Sequence, residues 1–481
     1  MHKQRISILA TLLAALLATH NVSAESEYQQ WLKKTQSEFQ TYLDENDKAF
    51  LTFLKQKWQP VDIRPADQRD PQPKPEELPA APQKKPQPQP DTPVVTLQPL
   101  PQPEVTPLPP AQIPKPLPAD KPVATFSFYG NTVKIAYSAG LQQRFRGPLN
   151  NESIAAYWQQ LASAEHKDTV TQLQQQAEAL GLNDWGTALL FDRFARILHQ
   201  DDSSRILTSW FLLVKGGYDA RVAYNRQVYL LLTSDQEMFG VTYFRLNGKK
   251  YYAVNLNDQP VKPGQVYTYE GQHEEGSHPL DFSQPNRFAA RGDEEQRSLH
   301  FSYDGRRYDI QVAYPQRYVS YFSSYPQLSL PNYFRAGLPA VTATSLLTQL
   351  KPVVQGQTET EAVNRLLRFV QTAFAYKTDE DQFHAENYLF PLETLHYPYS
   401  DCEDRAALFA WLTESLLGLD VVILDYPGHV ATAVAFDGQA GGDSLTFQGK
   451  RYVVADPTYI NASAGMTMPR YAGVTPKVMA F

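Results

Sequence analysis

Between residues 27 and 58, large apolar side chains recur every eleven positions: Tyr28, Trp31 and Leu32, then Phe39, Tyr42 and Leu43, then Phe50, Phe53 and Leu54. Eleven residues make three helical turns, so the pattern predicts one amphipathic helix over 25–59 with a nearly straight aromatic stripe. Lys, Glu, Asp and Gln fill the other positions, and no neighbouring stretch is apolar enough to cover the stripe. The stripe from Tyr28 to Trp58 is therefore expected to self-associate as a coiled coil or to dock on a partner, with packing back onto the main body the alternative. The pattern then stops. Residues 60–122 hold 21 of the chain's 37 prolines, a composition that cannot form a core and is expected to act as a semi-rigid spacer, up to about 200 Å long if fully extended.

Folded patterning resumes with an alternating stretch from Thr125 to Ile135, a hairpin turning at Gly130-Asn131, and a like stretch runs from His300 to Ile310. A shift of 201 residues sets Trp210 on Trp411, Gly217 on Gly418, Asp219 on Asp420, and Gly248-Lys249-Lys250-Tyr251 on Gly449-Lys450-Arg451-Tyr452. One offset sustained without a gap implies a duplicated unit of hairpin, helices and antiparallel strands. The expected class is α+β: residues 123–298 form a first copy and 299–481 a second. Residues 260–297 read as loop, with one strand at Gln265–Tyr269, and residues 314–339 as aromatic and turn-rich.

Composition adds two constraints. A net charge of -7 argues against a nucleic-acid partner, which needs clustered Lys and Arg. The first 24 residues have the layout of a signal peptide: His2, Lys3 and Arg5, an apolar run from Ile6 to Ala18, and small residues at Val22-Ser23-Ala24. Cleavage near Ala24 would leave an exported, periplasmic protein with no transmembrane span, whose aromatic helix would meet a partner of the cell envelope. Exported proteins use cysteines in pairs, yet this chain has one, Cys402, so its thiol calls for a chemical explanation.

Cys402 lies in Tyr399-Ser400-Asp401-Cys402-Glu403-Asp404-Arg405, ahead of a helical pattern through Leu408, Phe409, Trp411, Leu412 and Leu416 that Gly418 ends. Ser400 and Glu403 fit a capping box, which would put Cys402 at the second helical position, where the helix dipole favours a thiolate. Glu403 would be occupied by the cap and Asp401 and Asp404 turned away; otherwise their charge would raise the thiol pKa. His429 opens an apolar strand after Tyr426-Pro427-Gly428, and Asp456 closes the next strand before Pro457. Cysteine at a helix start, then histidine, then aspartate is the order a nucleophile, a base and an orienting carboxylate require. The first copy places Asp201, Val228 and Asn255 at the same offsets and lacks all three groups. No spacing of zinc or calcium ligands is present, and no cofactor is expected, although the acidic residues around Cys402 are a place where a cation could bind.

Ser-Asp-Cys-Glu-Asp-Arg-Ala, the helix ending Leu-Gly-Leu-Asp-Val-Val, Gly-His-Val at a strand start and Asp-Pro-Thr-Tyr together resemble the transglutaminase-like branch of the papain-like cysteine enzymes, over about Thr358 to Ala462. The resemblance implies a helix packed on an antiparallel sheet, with Cys402 as nucleophile, His429 as base and Asp456 as its orienting carboxylate. Ser400 departs from the glycine that many members carry. The implied activity is that of an exported cysteine peptidase or amidase acting on protein or cell-wall peptide through a thioester. Acyl transfer to amines, as in a transglutaminase, and an idle envelope adaptor are the alternatives. The Cys402 N–H would supply one oxyanion donor; Tyr399 and Asn387 are candidates for the second.

Overall fold

A computed structural model describes residues 45–67, 78–82, 92–96, 121–254, 256, 264–283, 288, 290 and 292–481. The signal-peptide segment, the first two aromatic repeats, most of the proline-rich stretch and Asn255 lie outside these residues. The described chain is mixed α and β, and no helix among the described residues is long and apolar enough to cross a membrane.

Two helix-and-sheet units follow each other. In the first, helix Asp202–Lys215 buries Leu207, Trp210, Phe211 and Leu212 against strands Ala220–Tyr224 and Val228–Leu232. These two strands join Lys249–Val254 and Tyr243–Leu246 on one side, and Gln265–Thr268 and Gln59–Asp62 on the other, in a six-stranded antiparallel sheet. In the second unit, helix Cys402–Leu417 packs on a five-stranded antiparallel sheet ordered Ser444–Phe447, Lys450–Ala455, His429–Val434, Val421–Tyr426, Lys477–Met479. The four shared strands have the same order in both sheets, and each begins 201 residues after its counterpart. Both outer hairpins turn on a left-handed residue followed by glycine, Asn247-Gly248 and Gln448-Gly449, the backbone that a two-residue turn between twisted strands demands.

Each unit is preceded by a two-stranded hairpin. Val123–Phe128 pairs with Asn131–Ala136 through a turn at Tyr129-Gly130, one residue earlier than the sequence suggested, and Glu294–Tyr303 pairs with Arg306–Pro315. The strand Gln265–Thr268 falls where expected. Helix Glu359–Ala373, its start capped by Thr358, lies against Cys402–Leu417 and contributes Leu366, Leu367, Phe369 and Val370 to the core.

The described end of the aromatic helix, residues 45–55, does not wait for a partner. Phe50, Leu54 and Trp58 are buried in the first unit. Phe50 meets Trp158 edge-on at 4.8 Å and Tyr269 at 5.5 Å, and Trp58 lies 5.1 Å from Tyr269. Asp47 pairs with Lys215 at 2.8 Å and with His273 at 3.1 Å. The cover for this part of the stripe comes from aromatics more than 100 residues away, which no local pattern reveals. Self-association through this part of the helix is therefore corrected to intrachain packing; Tyr28, Trp31 and Phe39 lie outside the described residues.

The spacer expectation also changes. Gln59–Asp62 is a sheet strand, and Arg64 pairs with Tyr243. Farther on, Ala80 pairs with Ile460 and Val94 with Thr358, both in the second unit. These residues of the proline-rich stretch pair with both units instead of only spacing the aromatic helix from the folded body.

Candidate active site

Cys402 is the first residue of its helix, and the N-cap is Asp401. Asp404, at the third position, accepts the Asp401 N–H at 3.3 Å and the Leu389 N–H at 2.8 Å. The capping box thus sits one residue later than Ser400 and Glu403 would place it. Ser400 is held extended beside Tyr376 in a short parallel pairing, and its hydroxyl accepts Arg405 Nε at 3.1 Å.

His429 begins its strand after a turn in which Gly428 takes a φ of 75°. Its Nε2 lies 2.8 Å from Asp456 Oδ2. A carboxylate only accepts, so Nε2 carries the proton and Nδ1 is the basic nitrogen. Asp456 Oδ1 accepts the N–H groups of Thr458 and Tyr459 at 2.9 and 3.1 Å, which fixes the carboxylate. Tyr471 stacks on the imidazole with centroids 5.0 Å apart and planes 13° from parallel, and Tyr426 lies at 6.3 Å.

The structure therefore joins His429 to Asp456 directly and brings Cys402 to the next residue along the strand: the Val430 N–H donates to Cys402 Sγ at 3.4 Å. The thiol's own proton is directed elsewhere. Sγ donates to Glu403 Oε2 at 2.9 Å, so Glu403 faces the sulfur and does not close a cap. Burial, then the charges of Glu403 and Asp401, push the Cys402 thiol well above its ordinary pKa. The expected lowering by the helix start is overridden by burial and acidic neighbours together. The three side chains are buried, with Cys402 only 1% exposed. Cavities of about 670 and 430 Å3 open on the first unit, the larger between Asp47, Lys121, His166 and Lys215 and the smaller between Asp219, Arg245 and Lys249. Neither is lined by Cys402, so cavity size does not single out the candidate residues.

Around the thiol lies a buried acidic cluster. Asp379, Asp401 and Glu403 each offer an oxygen within 4.8 Å of the others, an arrangement that can hold a hard divalent cation. Burial, then the charges of Asp404 and Glu403, push Asp379 up to about 10. Asp404 rises to about 8 through burial and Glu403, and Asp401 rises well above the usual range through burial and the same neighbours. Asp401 Oδ1 and Glu403 Oε1 are buried without a hydrogen-bond partner. Such oxygens are costly unless they carry a proton or meet a cation. Arg405, fully buried, donates to the carbonyls of Gln371 and Phe374 at 3.3 and 2.9 Å as well as to Ser400, and makes no ion pair with these acids.

Sequence reasoning missed Asp379, 23 residues before Cys402 and unremarkable by pattern, and Tyr376. The latter's ring lies 5.4 Å from the Arg405 guanidinium, and its phenol is raised by burial and by the charges of Cys402, Asp401 and Glu403. Tyr471 was missed because it follows Asp456 in an irregular segment. Of the two oxyanion candidates, Tyr399 lies beneath the Lys377 ammonium, 39% exposed, and the Asn387 amide oxygen is taken by Gln327.

In the first unit Asp201 is the N-cap and Asp202 the first helical residue. Matching the caps sets Asp202, not Asp201, in the place of Cys402, and sets buried Arg205 on buried Arg405. Val228 opens the strand that His429 opens in the second unit. Comparison with family models, curated proteins and solved structures finds no match to this chain.

Proposed function

We propose that the chain is an exported cysteine peptidase or amidase of transglutaminase-like type, built from a duplicated unit whose second copy alone kept its chemistry. The observation that carries the reading is the His429–Asp456 bond of 2.8 Å, with Asp456 held by two further N–H donors and the Cys402 sulfur one residue along the same strand. A histidine held in one tautomer by a fixed carboxylate, beside a sulfur at a helix start, is an arrangement that acyl transfer uses.

In this mechanism His429 Nδ1 takes the Cys402 proton once the thiol leaves Glu403. The thiolate attacks an amide carbonyl, and the Cys402 N–H, free at the helix start, donates to the oxyanion. The imidazolium, balanced by Asp456, returns its proton to the leaving amine. Water, activated by the same imidazole, then hydrolyses the thioester. The matching strand order and the 201-residue spacing support common descent of the two units, the first serving as scaffold.

The test is incubation with a mixed protein substrate and a fluorescent primary amine. Peptide release that depends on Cys402 supports a hydrolase, and amine incorporation indicates acyl transfer. Cys402→Ala and His429→Ala should each lose on the order of 10^3-fold or more. Undiminished turnover in Cys402→Ala would refute the reading. The thiol's bond to Glu403 favours a second reading, an idle envelope adaptor. That reading gains if Cys402 in the folded protein alkylates no faster than free cysteine at pH 6.

A further inference from the structure

The segment Pro79-Ala80-Ala81-Pro82 lies extended against the second unit. The Ala81 N–H donates to the Ile460 carbonyl at 2.7 Å, and the Ile460 N–H donates to the Pro79 carbonyl at 3.2 Å. Ala81 is buried in an apolar cluster that includes Tyr426, Tyr459, Met468 and Tyr471, while Pro79, Ala80 and Pro82 are exposed. This wall is continuous with the candidate site. Tyr471 and Tyr426 stack on His429, and Tyr459, next to Ile460, donates its N–H to Asp456.

We propose that this groove is a peptide subsite beside the catalytic imidazole, occupied in cis by the chain's own Pro79–Pro82 segment, and that it takes an extended polypeptide presenting a small side chain. The bonding is of the kind that adds an extended peptide to an existing backbone edge: main-chain pairs give affinity, and one inward side chain is selected by the wall it meets. The Ala81 methyl is only 4% exposed within this cluster, so the position favours alanine over a larger side chain. Among the described residues, two backbone hydrogen bonds and one buried methyl hold the segment, so a substrate of the same chemistry can displace it. The neighbouring stretch stays attached independently, because Pro93 and Val95 bond to Glu359, Gln357 and Gly356, and Thr92 meets Thr360. The groove stands on its own geometry; only its role in delivering a substrate rests on the proposed enzymatic activity.

The test uses the full chain and a fluorescein-labelled peptide Leu-Pro-Ala-Ala-Pro-Gln, read by fluorescence anisotropy. In Ala81→Arg the internal segment cannot seat its side chain, and the peptide should bind at least ten-fold more tightly than to the unaltered protein. Ala81→Gly, which gives up only the methyl, should fall between. Bound peptide should also slow iodoacetamide alkylation of Cys402 in Ala81→Arg several-fold. Equal peptide binding to all three proteins, or binding that leaves the alkylation rate unchanged, overturns the proposal. Peptide binding and protection of Cys402 in a protein that turns over no substrate uphold the groove and refute the enzymatic reading instead.

Discussion

Raising the pH from 5 to 8 in the presence of a chelator should destabilise this protein. Asp379 and Asp404, in the acidic cluster, and Glu393, at the third position of helix Pro391–His396, are buried carboxyl groups pushed up to about 10, 8 and 8. In the unfolded chain they ionise near pH 4. Between those limits the native state keeps a proton that the unfolded state has released. The stabilisation is complete below about pH 4, falls by about 1.4 kcal/mol per pH unit for each retained proton, and stops falling above the folded pKa. Glu393 alone would cost on the order of 4 kcal/mol by pH 8. Asp379 is raised by burial and then by the charge of Asp404, so those two contributions overlap, yet even one such proton is a sizeable share of a stability that is typically about 5–15 kcal/mol. A cation shared by Asp379, Asp401 and Glu403 would replace the Asp379 proton and relieve that part of the loss. Urea unfolding followed by tryptophan fluorescence at pH 5, 6, 7 and 8 in EDTA measures the slope, and repetition in millimolar CaCl2 measures the relief. The midpoint should fall steadily in EDTA, and calcium should raise it more at pH 8 than at pH 5, where protons compete for the same oxygens. Asp379→Asn should reduce the slope by one proton, about 1.4 kcal/mol per pH unit. Stability that stays level or rises from pH 5 to 8 in EDTA would refute the reasoning.

Arg405→Met should destabilise the fold by about 3–5 kcal/mol in urea, because the carbonyls of Gln371 and Phe374 and the Ser400 hydroxyl lose a buried donor; a loss below 1 kcal/mol would show that these groups find other partners. Phe50→Ala should cost about 3–5 kcal/mol while leaving the sedimentation coefficient unchanged, since Phe50 fills a cavity between Trp158 and Tyr269 of its own chain. Dissociation of an oligomer on that substitution would restore the self-association reading. On the proposed enzymatic reading, Tyr471→Leu should lower kcat several-fold and shift the acid limb of its pH profile, while Tyr471→Phe keeps the stacked ring and both values; equal effects of the two substitutions would assign the role to the hydroxyl.

The second unit was legible because its signals are local. The helix from Cys402, the strands opened by His429 and closed by Asp456 and both hairpins follow from periodicity and turn residues within a dozen positions. The 201-residue offset was equally readable, since it needs only the chain compared with itself. What escaped was set by tertiary contact. Phe50 and Leu54 look like an uncovered face until Trp158, Trp210 and Tyr269 arrive from elsewhere in the chain. The cap falls on Asp401 and not on Ser400 because Asp401 is itself still extended and the Ser400 hydroxyl is taken by Arg405 Nε, neither of which the local sequence specifies. The matched caps also show a constant offset to be an approximation: the two helices differ in length, 14 residues against 16, so the register at Cys402 shifts by one although the strands stay aligned. The direction of Glu403 was the costliest error. Sequence spacing turned it away from the sulfur, while the fold buries it against the thiol.

That contact frames how the site can work. Forming a thiolate adds negative charge to a cluster whose members already resist ionisation, and the buried Arg405 is committed to backbone carbonyls and Ser400. Two physical routes can offset the added charge. The proton can pass to His429, leaving an imidazolium that Asp456 stabilises, or a divalent cation can neutralise Asp379, Asp401 and Glu403 and so release the thiol from Glu403. The routes differ in what they require of the solvent. The first makes Cys402 reactivity depend on pH alone and collapses in His429→Ala with or without cation. The second makes the alkylation rate climb with calcium, retains part of that climb in His429→Ala, and loses it in Asp379→Asn. Because alkylation needs neither a known substrate nor an oxyanion donor, the three proteins, each measured with EDTA and with calcium, separate the two routes before any natural substrate is identified.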